Sequence, residues 1–164
     1  MTIKTNDSFP TDYTFQYFDV NKKDPAELST SEFKKGTWVL VGVPAAFSPP
    51  CSEQHLPLYI DQLNLFAQKG ARVVVVNVDN LFANKAWAKS FGVDDKQDKI
   101  LFVSDVGGKF LKAAGLTTTE VPPLGEVSSR FALVVKDGTV NYVGQEKTVA
   151  EVSASAADTV LKSL

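Results

Sequence analysis

The residue most able to do chemistry is the single cysteine, Cys51, delivered by the segment Val43-Pro44-Ala45-Ala46-Phe47-Ser48-Pro49-Pro50-Cys51-Ser52. The apolar run from Trp38 to Val43 reads as a buried strand. Pro44, Pro49 and Pro50 break it, and an amphipathic helix pattern starts around Cys51. A thiol in the first turn of a helix faces unpaired backbone N–H groups and the positive end of the helix dipole. That setting favours the thiolate, which is the nucleophile. The competing reading is an inert buried cysteine packing as a small hydrophobe; the strand–turn–helix context favours the reactive one. Arg130 is a natural counter-charge. It is one of two arginines among 17 basic residues, opens an apolar strand, and carries a fixed charge on a rigid fork of donors. Its other reading is a strand-edge surface charge. Arg72 also opens an apolar strand and reads as a solvated charge. His55 follows Cys51 by one helical turn, so the two share a face. As a Cys–His dyad the pair lacks an identifiable oxyanion element and orienting acid, so a structural or tuning role is expected. One Cys and one His do not complete a recognisable metal set.

These residues need a scaffold, and the periodicities supply one. Tyr13, Phe15 and Tyr17 alternate with polar residues as in a strand. Residues 19–36 are polar and read as a loop with a helical turn near Ser29 to Lys35. Over Cys51 to Lys69, the positions Leu56, Tyr59, Leu63 and Phe66 form one helix face, closed by Gly70. Val73 to Val78 is a β-branched run, expected to be buried on both faces and parallel. Leu81 to Phe91 reads as a helix carrying Ala83, Ala86 and Trp87. Ile100 to Val103 reads as a strand, Lys109 to Ala114 as a short helix, and Thr117 to Ser129 as a loop. Phe131 to Val135, Asp137-Gly138 and Val140 to Val143 make a β-hairpin, since an Asp-Gly turn suits paired strands. Thr148 and Glu151 read as a capping box starting a last helix with Val149, Val152, Ala156 and Val160 on one side. Trp87, Phe47 and Phe82 read as core or pocket wall, with Phe47 a candidate dimer contact. Strands alternating with helices, then a hairpin and a helix, indicate an α/β sandwich.

Bulk properties exclude several classes. With 164 residues, 44% hydrophobic and 22% charged, the chain fits one soluble domain, residues 1–164, large enough for a proper core. A net charge of −2 and the lack of a basic arm argue against a nucleic-acid partner. No apolar stretch is long enough to span a bilayer. The N-terminal residues lack a signal or transit pattern. A lone cysteine excludes an internal disulfide and suits a reducing, cytoplasmic setting. The final Lys162-Ser163-Leu164 scrambles the Ser-Lys-Leu peroxisomal address and does not match it.

Pro44, Ser48 and Cys51 stand in the spacing Pro-x-x-x-Ser-x-x-Cys, which resembles the active-site motif of the peroxiredoxins. The stretch from Pro44 to Pro57 resembles the peroxiredoxin-5 subfamily, which includes fungal alkyl-hydroperoxide reductases and peroxisomal-membrane-associated peroxiredoxins. Asn77 to Asn80 with Phe82 to Ala88, Ile100 to Asp105, and Ser129 to Val134 are similar to further ordered blocks of that subfamily. The similarity runs from about Phe9 to the C-terminus.

The resemblance implies a thioredoxin-like fold, with a central mixed β-sheet flanked by helices, and a thiol-dependent peroxidase needing no cofactor and no metal. It implies Cys51 as the sulfur that attacks hydrogen peroxide or an alkyl hydroperoxide and becomes a sulfenic acid. Arg130 would activate it. Ser48 would hydrogen-bond the sulfur and the peroxide through a hydroxyl that both donates and accepts. Pro44 would shield the thiolate and fix the loop. Many relatives resolve the sulfenic acid with a second cysteine. This chain has none, so a one-cysteine mechanism is expected, with glutathione, glutaredoxin or thioredoxin as the external thiol. A homodimer is expected by the same likeness. The alternative from another class is a redox sensor that signals Cys51 oxidation to a partner.

Overall fold

The computed structural model describes residues 2–164. Its strands are β1 (Thr14–Asp19), β2 (Asp24–Ser29), β3 (Thr37–Gly42), β4 (Ala71–Asn77), β5 (Ile100–Ser104), β6 (Thr117–Thr118), β7 (Val127–Ser128), β8 (Phe131–Lys136) and β9 (Thr139–Gln145). Its α-helices are α1 (Leu56–Asp61), α2 (Leu63–Gln68), α3 (Leu81–Ser90), α4 (Lys109–Ala113) and α5 (Ala157–Leu161). Seven strands form one sheet in the order β2-β1-β5-β4-β3-β8-β9. The centre, β3, β4 and β5, is parallel, and both flanks are antiparallel. This is the mixed, helix-flanked sheet of the thioredoxin-like fold, in line with the expectation from sequence.

Side chains alternate across a strand, so each central strand feeds two cores. Val39, Val41, Val73, Val75, Phe102 and Val134 face the layer built by α1, α2, α3 and α5. Leu40, Val74, Val76, Val103 and Leu133 face the layer that includes Phe9, Phe33 and α4. The Val73–Val76 run is therefore buried on both sides, as a parallel central strand requires. The Asp137-Gly138 turn has positive φ at both residues, 47° and 83°, the backbone that matches the twist of paired strands.

Several expectations are corrected. The polar 19–36 stretch is not all loop: β2 pairs antiparallel with β1, and only Thr30–Lys34 is a 3-10 turn. An edge strand needs one buried anchor, here Leu28 opposite Phe15, and so shows little hydrophobic pattern. The helix expected over Cys51 to Lys69 is a π-helical turn, Pro50–His55, then α1 and α2, interrupted at Gln62. Its apolar face is nevertheless the expected one. The loop 117–129 contains the small β6–β7 ladder. In α3 it is Asn84, not Ala86, that is buried with Trp87. Arg72 is not a solvated charge: its guanidinium donates to the Gln97 carbonyl at 2.5 Å and lies over the Trp38 ring. Phe47 and Phe82 are 54% and 60% exposed rather than core. The Thr148–Glu151 capping box does not form. Residues 146–156 run as an irregular strap, and α5 begins only at Ala157.

Candidate active site

The cysteine loop starts where β3 meets β8. The Phe131 ring packs where a Cβ at Gly42 would stand, which brings β8 close beneath the loop. Val43 donates its N–H to the Val76 carbonyl at 3.1 Å, and the buried Pro44 then turns the chain off the sheet. Ala46 N–H donates to Asp79 Oδ2 at 2.7 Å. Asp79 is itself held at the end of β4: its N–H donates to Asn77 Oδ1, and Ser104 Oγ donates to its carbonyl. Asn77 and Asn84 exchange amide hydrogen bonds at 2.8 Å, so two buried polar side chains satisfy each other. Phe47 takes φ of 63°, an uncommon backbone for a bulky residue. Ser48 Oγ donates to the Ala45 carbonyl at 2.9 Å and tightens the turn. Trp87 Nε1–H donates to Ser52 Oγ at 3.0 Å and ties the cysteine turn to α3.

Pro50–His55 is wound wider than an α-helix, with Leu56 N–H bonded to the Cys51 carbonyl. Single π turns of this kind are frequent at functional sites. Here the winding leaves Cys51 fully buried, 0% exposed, and turns its sulfur toward β8.

Arg130 meets it there, just before β8 and only 1% exposed. Nη2 donates to Cys51 Sγ at 3.2 Å, Nη1 donates to His55 Nδ1 at 2.9 Å, and Nε donates to the Val149 carbonyl at 2.7 Å. A guanidinium cannot accept, so His55 Nδ1 carries no proton. The ring proton sits on Nε2 and is donated to the Ser155 carbonyl at 3.0 Å. Burial, then the Arg130 charge, lower the His55 pKa from 6.5 to about 4, in keeping with a neutral ring fixed in one tautomer. Tyr59 Oη donates to the same Ser155 carbonyl at 2.5 Å. Burial raises its pKa well above 10, which keeps it a donor.

The segment 146–155 supplies the carbonyls at this end of the site. Glu146 N–H donates to the Arg130 carbonyl at 2.9 Å. Its carboxylate accepts from Ser153 N–H at 2.7 Å, Ser153 Oγ at 2.9 Å, Ser155 N–H at 2.8 Å and Ser155 Oγ at 2.6 Å. Burial alone would raise this carboxyl's pKa, but the hydrogen bonds from Ser155 and Ser153 outweigh it and hold the value at about 2.

Of the four residues singled out from the sequence, Cys51 and Arg130 are in direct contact, and Pro44 is buried in the loop leading to the sulfur. The Ser48 hydroxyl is engaged with its own turn and not with Cys51. His55 is bonded to Arg130 rather than to the sulfur, which suits the tuning role and not a dyad. The Val149 and Ser155 carbonyls and the Glu146 carboxylate emerge only from the fold. A lone Glu just past a hairpin carries no sequence signal, and Thr148 with Glu151 imitates a helix cap.

Comparison with known proteins settles the family. The redoxin family model matches residues 4–161. A putative peroxiredoxin-A of Candida boidinii is 39% identical over 166 residues, covering 99% of this chain and 98% of that protein. Peroxisomal membrane associated protein 20 of Schizosaccharomyces pombe is 44% identical over 134 residues, covering 79% and 83%. The chain belongs to the redoxin family, as a peroxiredoxin. Among solved structures, reduced Prx3 of Vibrio vulnificus in complex with hydrogen peroxide superposes with a TM-score of 0.86 at 27% identity, covering 98% of each chain. The activity of this peroxiredoxin is therefore thiol-dependent peroxide reduction. Among the described residues, no helix is long and apolar enough to cross a membrane.

Proposed function

We propose that Cys51 is the peroxide-reducing nucleophile and Arg130 the group that holds it ready. The observation that carries this reading is the 3.2 Å contact between Arg130 Nη2 and the chain's only cysteine sulfur. A buried cation beside a sulfur stabilises its anionic form, and a fork with further donors suits an oxygen gaining charge. Sγ attacks one peroxide oxygen, the O–O bond breaks, and the other oxygen leaves as water or an alcohol once it takes up a proton. Sulfur loses two electrons to the peroxide and is left as sulfenic acid. Pro44, buried in the loop that leads to the sulfur, shields it. The Ser48 hydroxyl turns from the Ala45 carbonyl to the incoming peroxide.

With one cysteine in the chain, an external thiol condenses with the sulfenic acid, releasing water and leaving a mixed disulfide. A second thiol then frees Cys51. Because Sγ is buried, glutaredoxin or thioredoxin reaches it only after the π-helical turn opens, whereas glutathione needs a smaller opening. Substrates are hydrogen peroxide and alkyl hydroperoxides; the related Vibrio structure is described with hydrogen peroxide bound. Residues 1–164 act as one domain, since N-terminal and C-terminal segments pack on opposite faces of one sheet. Exposed Phe47, beside the cysteine turn, joins a homodimer contact. The protein resides in the cytoplasm, and the peroxisomal names of two relatives support the peroxisome as a second residence; a fusion tagged at the N-terminus and imaged against peroxisomal markers separates them.

Intact-mass analysis after one equivalent of peroxide tests the mechanism. A gain of one oxygen is expected; a covalent dimer as main product contradicts it. Turnover assayed with glutathione, glutaredoxin and thioredoxin systems separately then identifies the reductant. Cys51→Ser should abolish turnover in all of them.

A further inference from the structure

Segment 146–155 holds Arg130 directly at its backbone carbonyl and Nε, and indirectly, through His55, at Nη1. Glu146 N–H holds its carbonyl, Val149 carbonyl takes its Nε–H, and Ser155 carbonyl takes the His55 proton, leaving His55 Nδ1 to accept from Nη1. Nothing in secondary structure fixes these carbonyls, because residues 146–156 are neither strand nor α-helix. The carboxylate of Glu146 closes the strap at its Ser155 end by accepting the N–H and Oγ–H of both Ser153 and Ser155, while Glu120 accepts the Val149 N–H at 2.9 Å. The strap also lies flush on β9. A Cβ at Gly144 would collide with the Ala154 carbonyl, and Tyr142 Oη donates to that carbonyl at 2.6 Å.

We propose that Glu146 is a positioning residue for the peroxide reaction, closing the 146–155 strap so that His55 and Val149 aim Arg130 at Cys51. Glu146 touches neither sulfur nor substrate. Its effect passes through the Ser155 carbonyl, the His55 tautomer and the guanidinium. Buried carboxylates that accept several N–H and O–H bonds are strong local anchors, and a small misplacement of a catalytic group by a change away from the chemistry can cost on the order of a hundredfold in rate. The proposal rests on the reading of Cys51 and Arg130 as the reacting pair.

The test compares Glu146→Gln and Ser155→Ala with the unaltered protein. Gln keeps the shape but aims an N–H2 group at donors. Ala removes one hydroxyl donor and leaves the carboxylate. Two quantities are measured on the reduced protein: the single-turnover rate of Cys51 oxidation by hydrogen peroxide, followed by quench and intact mass, and the nitrogen-detected NMR signature of the ring of His55. The chain has one histidine, so that signature is unambiguous. The expected result for Glu146→Gln is a rate loss of about tenfold or more, together with loss of the pure Nε2–H tautomer. Ser155→Ala should move both in the same direction by less. An unchanged rate in folded Glu146→Gln overturns the proposal. So does a slowed rate with the His55 signature intact, since a general loss of stability would not act through the ring. Should Glu146→Gln not fold, Ser155→Ala decides alone: no change in both quantities refutes the strap. Arg130→Lys separates the two levels. A normal rate there brings down the reading of the site, whereas a slow Arg130→Lys with a normal Glu146→Gln brings down only the role of Glu146.

Discussion

At the scale of single residues, the site is one buried guanidinium with one donor on the sulfur and its others on fixed acceptors. Arg130 divides its fork among Sγ, His55 Nδ1 and the Val149 carbonyl, so its charge is held in one place. Lys would keep the charge but offers a compact ammonium without the fork. Arg130→Lys should therefore slow Cys51 oxidation by about a hundredfold, the scale for a misplaced catalytic group, as read by single-turnover kinetics. Cys51 and Arg130 are legible from residue type because one is the only thiol and the other one of two arginines. His55 is half legible. Its spacing puts it near Cys51, but only the tertiary fold shows that its ring faces Arg130. Glu146 is not legible, because what it does depends on backbone N–H groups from Ser153 and Ser155, and those carry no side-chain code.

At the scale of elements, the cysteine turn is stapled to its neighbours by side chains rather than by its own helix. Trp87 donates its indole N–H to Ser52 Oγ and is otherwise buried in the core. Ser52→Ala leaves that donor unsatisfied, which costs about 1–3 kcal/mol; denaturant unfolding measures it. A Cβ at Gly144 must push the Ala154 carbonyl, so Gly144→Ala should displace the strap and lower both stability and peroxide rate, in contrast to a change at an exposed strand position. The parallel strands and the hairpin are legible because their burial follows a period of two or a continuous β-branched run. The strap reads falsely as helix because Val149, Val152 and Ala156 fall at helical spacing. In the fold, the Val149 peptide is taken up by Arg130 and by Glu120, whose carboxylate accepts the Val149 N–H at 2.9 Å. Edge strand β2 escapes notice because only Leu28 of it is buried.

At the scale of the whole molecule, the buried polar network makes the fold acid-sensitive. The unfolded chain protonates His55 near 6.5, whereas the folded chain does so only near 4. Between those values the unfolded state binds more protons, so stability falls as pH falls through this window. The loss is on the order of 2–3 kcal/mol by pH 4.5. Glu146 acts in the same direction lower down. Its folded value of about 2 against 4.5 means that stability present above 4.5 is lost on further acidification. The thermal midpoint should drop by roughly 5–10 °C between pH 7 and pH 4.5 from the His55 contribution, at the usual 2–4 °C per kcal/mol for this size. His55→Asn should flatten the curve between pH 6.5 and 5, and calorimetry across that range checks it. The layering of helices on a mostly buried sheet follows from hydrophobic patterning, whereas the strand order, with β2 at one edge, emerges only from the fold. So does the full burial of Cys51, since the reactive reading of a thiol in the first turn of a helix carries no sign that the sulfur is enclosed.

The measurement that bears most directly on the account is the single-turnover rate of Cys51 oxidation by hydrogen peroxide in Arg130→Met beside the unaltered protein, with circular dichroism to show that both are folded and Arg130→Lys as the milder partner. The account predicts that removing the charge slows sulfenic acid formation by at least two orders of magnitude, about 3 kcal/mol of barrier, with Arg130→Lys no slower than Arg130→Met. A folded Arg130→Met that oxidises as fast as the unaltered protein would contradict it.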